Sequence, residues 1–141
     1  MEKFSVLMSV YYKEKPDFFD LALESNMVKQ TLRPDEFILV CDGELTPELE
    51  VVIEKYRELF PNVLKVYRKK NGGLGKALNF GLQKCSYQLV ARQIVMTYAL
   101  LTDLKSRLNL WRSIQSMQFQ VVQSQSLRRT LLRRYASRLI L

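Results

Sequence analysis

Residues 4–41 decide the fold: FSVLMSV (4–10), the polar YYKEK (11–15), a stretch opened by Pro16, and EFILVC (36–41) closed by Asp42-Gly43. Two short apolar runs separated by one helix-length segment read as strands buried on both faces of a parallel sheet. Pro16 opens a helix running to about residue 30, with Phe19, Leu21, Leu23, Met27 and Val28 available for its core face. Beyond Asp42-Gly43, Thr46 can cap a second helix with Pro47 at its first position. Leu49, Val52, Ile53, Tyr56 and Leu59 recur along it at helical spacing, and Pro61-Asn62 ends it. A third strand is expected at 63–67, a tight Asn71-Gly72-Gly73 turn leads into a helix at 74–84, and a fourth strand starts at 88–91. Strand and helix thus alternate three times. The fold class is α/β, a Rossmann-like β-α-β-α-β-α-β unit with a mainly parallel sheet and right-handed crossovers.

After Arg92 this grammar stops. Residues 93–141 hold no Gly, no Pro and a single acid, Asp103, against eight Lys or Arg. Residues 1–92 carry 14 basic and 13 acidic side chains, so nearly all of the net charge of +8 belongs to the tail. The expected division is a nucleotide-binding domain at 1–92 and a basic, mostly helical or poorly ordered tail at 93–141. A pI near 9.6 ordinarily points to a polyanionic partner, but here it describes the tail alone. The absence of histidine removes His-based nucleophilic triads and most zinc sites. Cys41 and Cys85 form neither a metal spacing nor a disulfide framework and read as buried free thiols in a reducing compartment. No leader and no membrane-spanning run is read in the sequence. The expected location is the cytoplasm.

In parallel sheets, ligands bind beyond the carboxyl ends of the strands. The polar positions there are Ser9, Tyr11, Glu14, Asp42 and the KKNGGLGK turn at 69–76. Tyr11 can stack on a base or shield a helix end. Asp42 can accept the imide N–H of a uracil, hold a ribose hydroxyl, or close its own turn. The glycine turn can offer backbone N–H groups to a phosphate, with Lys76 adding charge, or simply cap its helix. It has neither the spacing nor the Lys-Ser/Thr pair of a Walker loop. Lys69 and Lys70 read as a solvated edge.

Four segments in order and in register (FSVLMSVYYKE, EFILVCDG, NGGLGKALNFGL and CSYQLVAR) resemble the N-terminal half of a family 2 glycosyltransferase of the GT-A fold, over about residues 3–92. The resemblance implies a nucleoside diphosphate sugar as partner, with a UDP-sugar expected and transfer to an acceptor hydroxyl in cell-surface polysaccharide synthesis. It implies that Tyr11 and Asp42 contact the nucleobase with Ser9 nearby through its backbone, and that Gly75 and Lys76 lie near the ribose–diphosphate. The family continues after this Ala-Arg with one residue and an Asp-x-Asp-Asp-like run that holds Mg²⁺ or Mn²⁺. This chain has Gln93-Ile94-Val95-Met96-Thr97 there. The expectation is therefore no catalytic residue, no metal ligand and no cofactor in this chain, a truncated and inactive enzyme.

A frameshift accounts for the change. Codons built from the third base of one residue and the first two of the next force Asp at Met96-Thr97. They permit D-S-D-D-I-C-A-S-D-R-F-E-K-Q-I-E-F-M-E-K-H-P-E-Y through Met117, a metal motif followed by an amphipathic helix as in the family. The tail then reads as out-of-frame residue. Two other readings remain: a nucleotide-binding module without catalysis, and a polyanion-binding protein. In the latter, Leu127, Leu131, Leu132 and Tyr135 flanked by Arg128, Arg129, Arg133, Arg134 and Arg138 would lie on an anionic surface at the inner membrane face. Nucleic acid is the less expected partner.

Overall fold

The computed structural model describes residues 3–93 together with Val95 and Asn109. The expectation of a helical tail lies, apart from those few positions, outside the described residues. The elements are β1 (Phe4–Val10), α1 (Pro16–Met27), β2 (Glu36–Asp42), α2 (Pro47–Leu59), β3 (Leu64–Lys69), α3 (Leu74–Lys84) and β4 (Leu89–Gln93). The four strands form one sheet in the order β3-β2-β1-β4, and every adjacent pair is parallel. The chain winds outward through β2 to β3, then returns through α3 to place β4 on the other side of β1. This reversal beside β1 is the topological switch point of a doubly wound sheet.

Two apolar layers follow from the alternation of side chains along each strand. Phe4, Val6, Met8 and Val10 of β1 and Phe37, Leu39 and Cys41 of β2 pack with Phe19, Leu23 and Met27 of α1 and with Leu49, Ile53 and Tyr56 of α2. On the opposite face Leu7, Ile38 and Val40 meet Ala77 of α3. Gly81 is what lets α3 lie so close. A Cβ there would run into Leu7 Cδ1 and stand 2.7 Å from Val40 Cγ2.

The helix starts follow the sequence. Thr46 Oγ1 accepts the Leu49 N–H at 3.4 Å and Pro47 opens α2, while Pro16 opens α1. Helix α1 ends at Met27 rather than near residue 30, where the Val28 and Lys29 N–H groups both donate to the one carbonyl of Glu24. Leu21 and Val28 stand on the solvent side, about two-fifths exposed, and Leu59 of α2 is exposed too. Ala22, Ser25 and Asn26 take the inward positions of α1 instead. Strand β3 begins at Leu64 and extends to Lys69, and β4 reaches Gln93, one residue beyond the expected boundary, because parallel pairing with β1 continues to Met8↔Gln93. Cys41 is buried, whereas Cys85 is only half-buried, with its thiol donating to Gly81 O. Burial pushes the Cys41 thiol up to about 11 and the Cys85 thiol up to about 12. Among the described residues no helix is long and apolar enough to cross a membrane.

At the amino-terminal end of the sheet, β2 begins with Glu36, whose side chain is 2% exposed. Its Oε2 accepts from Ser5 Oγ at 2.7 Å and from Ser86 N at 2.8 Å. Its Oε1 accepts from Lys65 Nζ at 2.6 Å and from Ser86 Oγ at 2.8 Å. One carboxylate thereby joins β1, β2, β3 and the α3–β4 connection. Burial opposes its charge, but these donors outweigh burial and hold the carboxyl at about 2.

Candidate functional site

The opposite, carboxyl-terminal end of the sheet carries a cleft of about 550 Å³, within the range typical of small-molecule sites. The end of β1 supplies Ser9, and the turn after it supplies Tyr11, Tyr12 and Glu14. The tip of β2 supplies Asp42, the turn after β3 supplies Asn71, Gly73 and Leu74, and Val95 follows β4. The cleft therefore sits beside the reversal next to β1, lined from the carboxyl ends of the strands.

Three of the five expected nucleotide-binding residues, Ser9, Tyr11 and Asp42, meet on this wall. Tyr11 is 39% exposed and meets Tyr12 edge-on, ring centroids 5.9 Å apart, which leaves an aromatic surface at the mouth. Gly75 and Lys76 stand instead in the first turn of α3, exposed and not among the lining residues. The Lys76 stem folds back over Gly72, its Cδ 3.1 Å from where a Cβ on that glycine would be. Burial raises the Glu14 carboxyl above its ordinary range.

Asp42 organises the turn. Its Oδ1 accepts from Lys69 Nζ at 2.9 Å and from Gly72 N at 3.0 Å, and its Oδ2 accepts from Gly73 N at 2.9 Å. Burial disfavours its charge, but the Lys69 ammonium and the two amides prevail and hold the carboxyl below the usual range. Gly73 sits at φ +91°, a backbone conformation that L side chains rarely adopt, and so permits the sharp entry into α3. The amides of Gly72 and Gly73, which the sequence offered to a phosphate, are thus given to a carboxylate of the same chain.

Lys69 is the residue that sequence reasoning misplaced. It is no solvated edge: its side chain is 17% exposed and its ammonium is paired to Asp42. The signal was the β2/β3 register, in which Asp42 and Lys69 stand opposite one another. Lys70 is exposed, as expected.

The family resemblance implies carboxylates for a divalent cation just after β4. At that point the chain places Val95, 4% exposed, packed into the core and lining the cleft. Of the two carboxylates on the wall, Asp42 is committed to Lys69 and two amides, and Glu14 stands on a different segment. Among the described residues no group of three His, Cys, Asp or Glu side chains could hold a metal ion. These residues do not fit the cation that the family uses.

A doubly wound parallel α/β unit with a cleft at its reversal point is the architecture found in glycosyltransferases of the GT-A fold. The solved structure of S. aureus TarS 1-349 in complex with UDP-GlcNAc shares this architecture, at a TM-score of 0.62 and 26% identity over 79% of this chain and 31% of that one. The family model "Glycosyl transferase family 2" matches residues 5–93, more than half of the sequence, and the chain belongs to that family. It is 48% identical over 90 residues to the Escherichia coli UDP-Gal:alpha-D-GlcNAc-diphosphoundecaprenol beta-1,3-galactosyltransferase, covering 64% of this chain and 32% of that protein. It is also 48% identical over 89 residues to the Erwinia amylovora amylovoran biosynthesis glycosyltransferase AmsE, covering 63% and 33%. The chain spans about a third of the length of these curated relatives.

Proposed function

We propose that residues 5–93 are the donor-binding part of a glycosyltransferase of cell-surface polysaccharide synthesis. It takes a nucleoside diphosphate sugar, a UDP-sugar, as its ligand, and the present chain holds this ligand without completing transfer. The observation that carries the reading is the cleft that joins Ser9, Tyr11 and Asp42, while residues 93–97, where the family carries its acidic run, contain no acid. Asp42 offers an ionised acceptor to a base N–H, and Tyr11 offers a ring face to the base. Without carboxylates for a cation, binding is independent of divalent metal, and the leaving diphosphate lacks the charge stabilisation that transfer needs. A change of reading frame at about codon 93 accounts for the loss, and the end of the family match at residue 93 supports it.

Calorimetric titration with UDP and with a panel of UDP-sugars, each with and without Mn²⁺, tests the reading. Saturable binding that is the same with and without Mn²⁺, and no sugar transfer, is expected. Metal-dependent turnover would overturn the loss of transfer, and failure to bind any nucleotide would overturn the ligand. The DNA sequence across codon 93 tests the frame change, since codons incompatible with the acidic string dispose of it. The arginine-rich stretch at 128–138 adds only a nonspecific attraction to anionic membrane, which would keep the chain cytoplasmic and peripheral. Flotation with anionic vesicles at low and high salt reads it out, and binding that survives high salt would contradict it.

A further inference from the structure

We propose that Lys69 is a positioning residue of the nucleotide cleft, acting through Asp42 and not by touching the ligand: its ammonium fixes the carboxylate that ties down the Gly72–Gly73 lip. This rests on the nucleotide reading above. The geometry argues for an indirect role. Lys69 Nζ is held between Asp42 Oδ1 at 2.9 Å and Lys70 O at 2.5 Å, and lies 3.1 Å from where a Cβ on Gly72 would stand. Lys69 O accepts the Gly43 N–H at 2.9 Å, so both ends of the residue brace the turn. Asn71 Nδ2 donates to Asp42 O at 3.3 Å, joining the same turn to the tip of β2. An ammonium so enclosed is already spent on its own chain and is poorly placed to reach a diphosphate.

The pair ties down a lip that is rich in glycine and exposed. Asp42 is 7% exposed. A carboxylate that buried needs a cation or several donors to stay charged. Lys69 supplies the cation, which leaves Asp42 ionised and able to accept from both Gly72 and Gly73. An ionised carboxylate has about four acceptor positions, and the chain fills three, two on Oδ1 and one on Oδ2. The remaining capacity on Oδ2 is what a base N–H would use. Removing the ammonium should loosen the lip and move that acceptor together.

The full chain is compared as wild type, Lys69→Met, Lys69→Arg, Asp42→Asn and the Lys69→Met/Asp42→Asn double variant. Amide hydrogen exchange without ligand comes first. Lys69→Met should speed exchange at Gly72 and Gly73 on the order of tenfold, the scale of a charge-assisted hydrogen bond, while Leu7 and Val40 amides in the sheet stay protected and show that the fold holds. Lys69→Arg should keep most of the protection, and Lys69→Met should add little in the Asp42→Asn background. Unchanged exchange at Gly72 and Gly73 in Lys69→Met overturns the proposal. Titration with uridine and with UDP comes second. Acting through Asp42, Lys69→Met should weaken both by the same factor. A loss confined to UDP would make Lys69 a direct phosphate ligand and refute the positioning role. If the wild-type chain binds neither compound, the nucleotide reading fails, and the exchange comparison still decides whether Lys69 holds the lip.

Discussion

Replacing Glu36 with Gln should cost roughly 3 kcal/mol of stability at neutral pH, and the loss should fade in acid. The magnitude comes from the carboxyl itself. Holding it at about 2 rather than at an ordinary 4.5 is worth roughly 3 kcal/mol when it is ionised. The hydrogen bonds give the same scale. Four donors converge on two oxygens, two on each. Glutamine keeps one oxygen, so whichever way its amide turns, two donors face an NH₂ group. Each buried polar group left unsatisfied costs about 1–3 kcal/mol, and rotation of the serine hydroxyls recovers part of it. Because the folded carboxyl is depressed, its contribution is complete above the ordinary 4.5 and is lost as pH falls through about 2. Urea unfolding followed by circular dichroism, on wild type and Glu36→Gln at pH 7, 4 and 3, measures the difference. Other acids titrate in both proteins and cancel. A gap below about 1 kcal/mol at pH 7, or one that stays constant down to pH 3, would refute the reasoning.

Gly81→Ala should destabilise the chain by about 1–3 kcal/mol, the usual cost of overpacking, because Val40 is stiff at χ1 and buried; thermal unfolding reads it out, and an unchanged midpoint would mean that α3 has room to retreat. Tyr11→Ala should weaken UDP about tenfold or more while Tyr11→Phe binds as wild type, the scale of one aromatic–base stack; equal affinity in all three would remove Tyr11 from the base site. Both thiols should resist a disulfide reagent at pH 8 in the folded chain and react at once in urea, since burial raises both well above that pH. Rapid labelling of Cys41 before unfolding would contradict its burial.

The layered β/α order was legible because each strand is a short apolar run and each helix start carries its own signal, Pro16 for α1 and Thr46-Pro47 for α2. Local signals of that kind do not depend on what lies across the sheet. The phase of each helix was less legible. Leu21 and Val28 are apolar and lie near helical spacing, yet the chain buries Ala22, Ser25 and Asn26 of α1 instead, and Leu59 at the end of α2 is exposed. In the candidate site, Ser9, Tyr11 and Asp42 could be found from their places at or just beyond the carboxyl ends of strands. Lys69 could not. Its role exists only through a partner 27 residues earlier in the chain, and two adjacent lysines read alone look like solvated surface.

Strand β2 carries an acid at each end, Glu36 and Asp42, and β3 answers each with a lysine, Lys65 and Lys69. Strand β3 lies at the margin of the described sheet, and only Leu64 of its six residues is fully buried. Apolar patterning alone would let such a strand slide by two residues, since that shift keeps every side chain on its original face. Sliding by two in either direction would take Lys69 from its place opposite Asp42, and sliding toward the carboxyl ends would also carry Lys65 away from Glu36. The two pairs act as pins at either end of a ruler: one sets the alignment at the floor of the sheet, and the other makes the same alignment a condition for a properly shaped rim above.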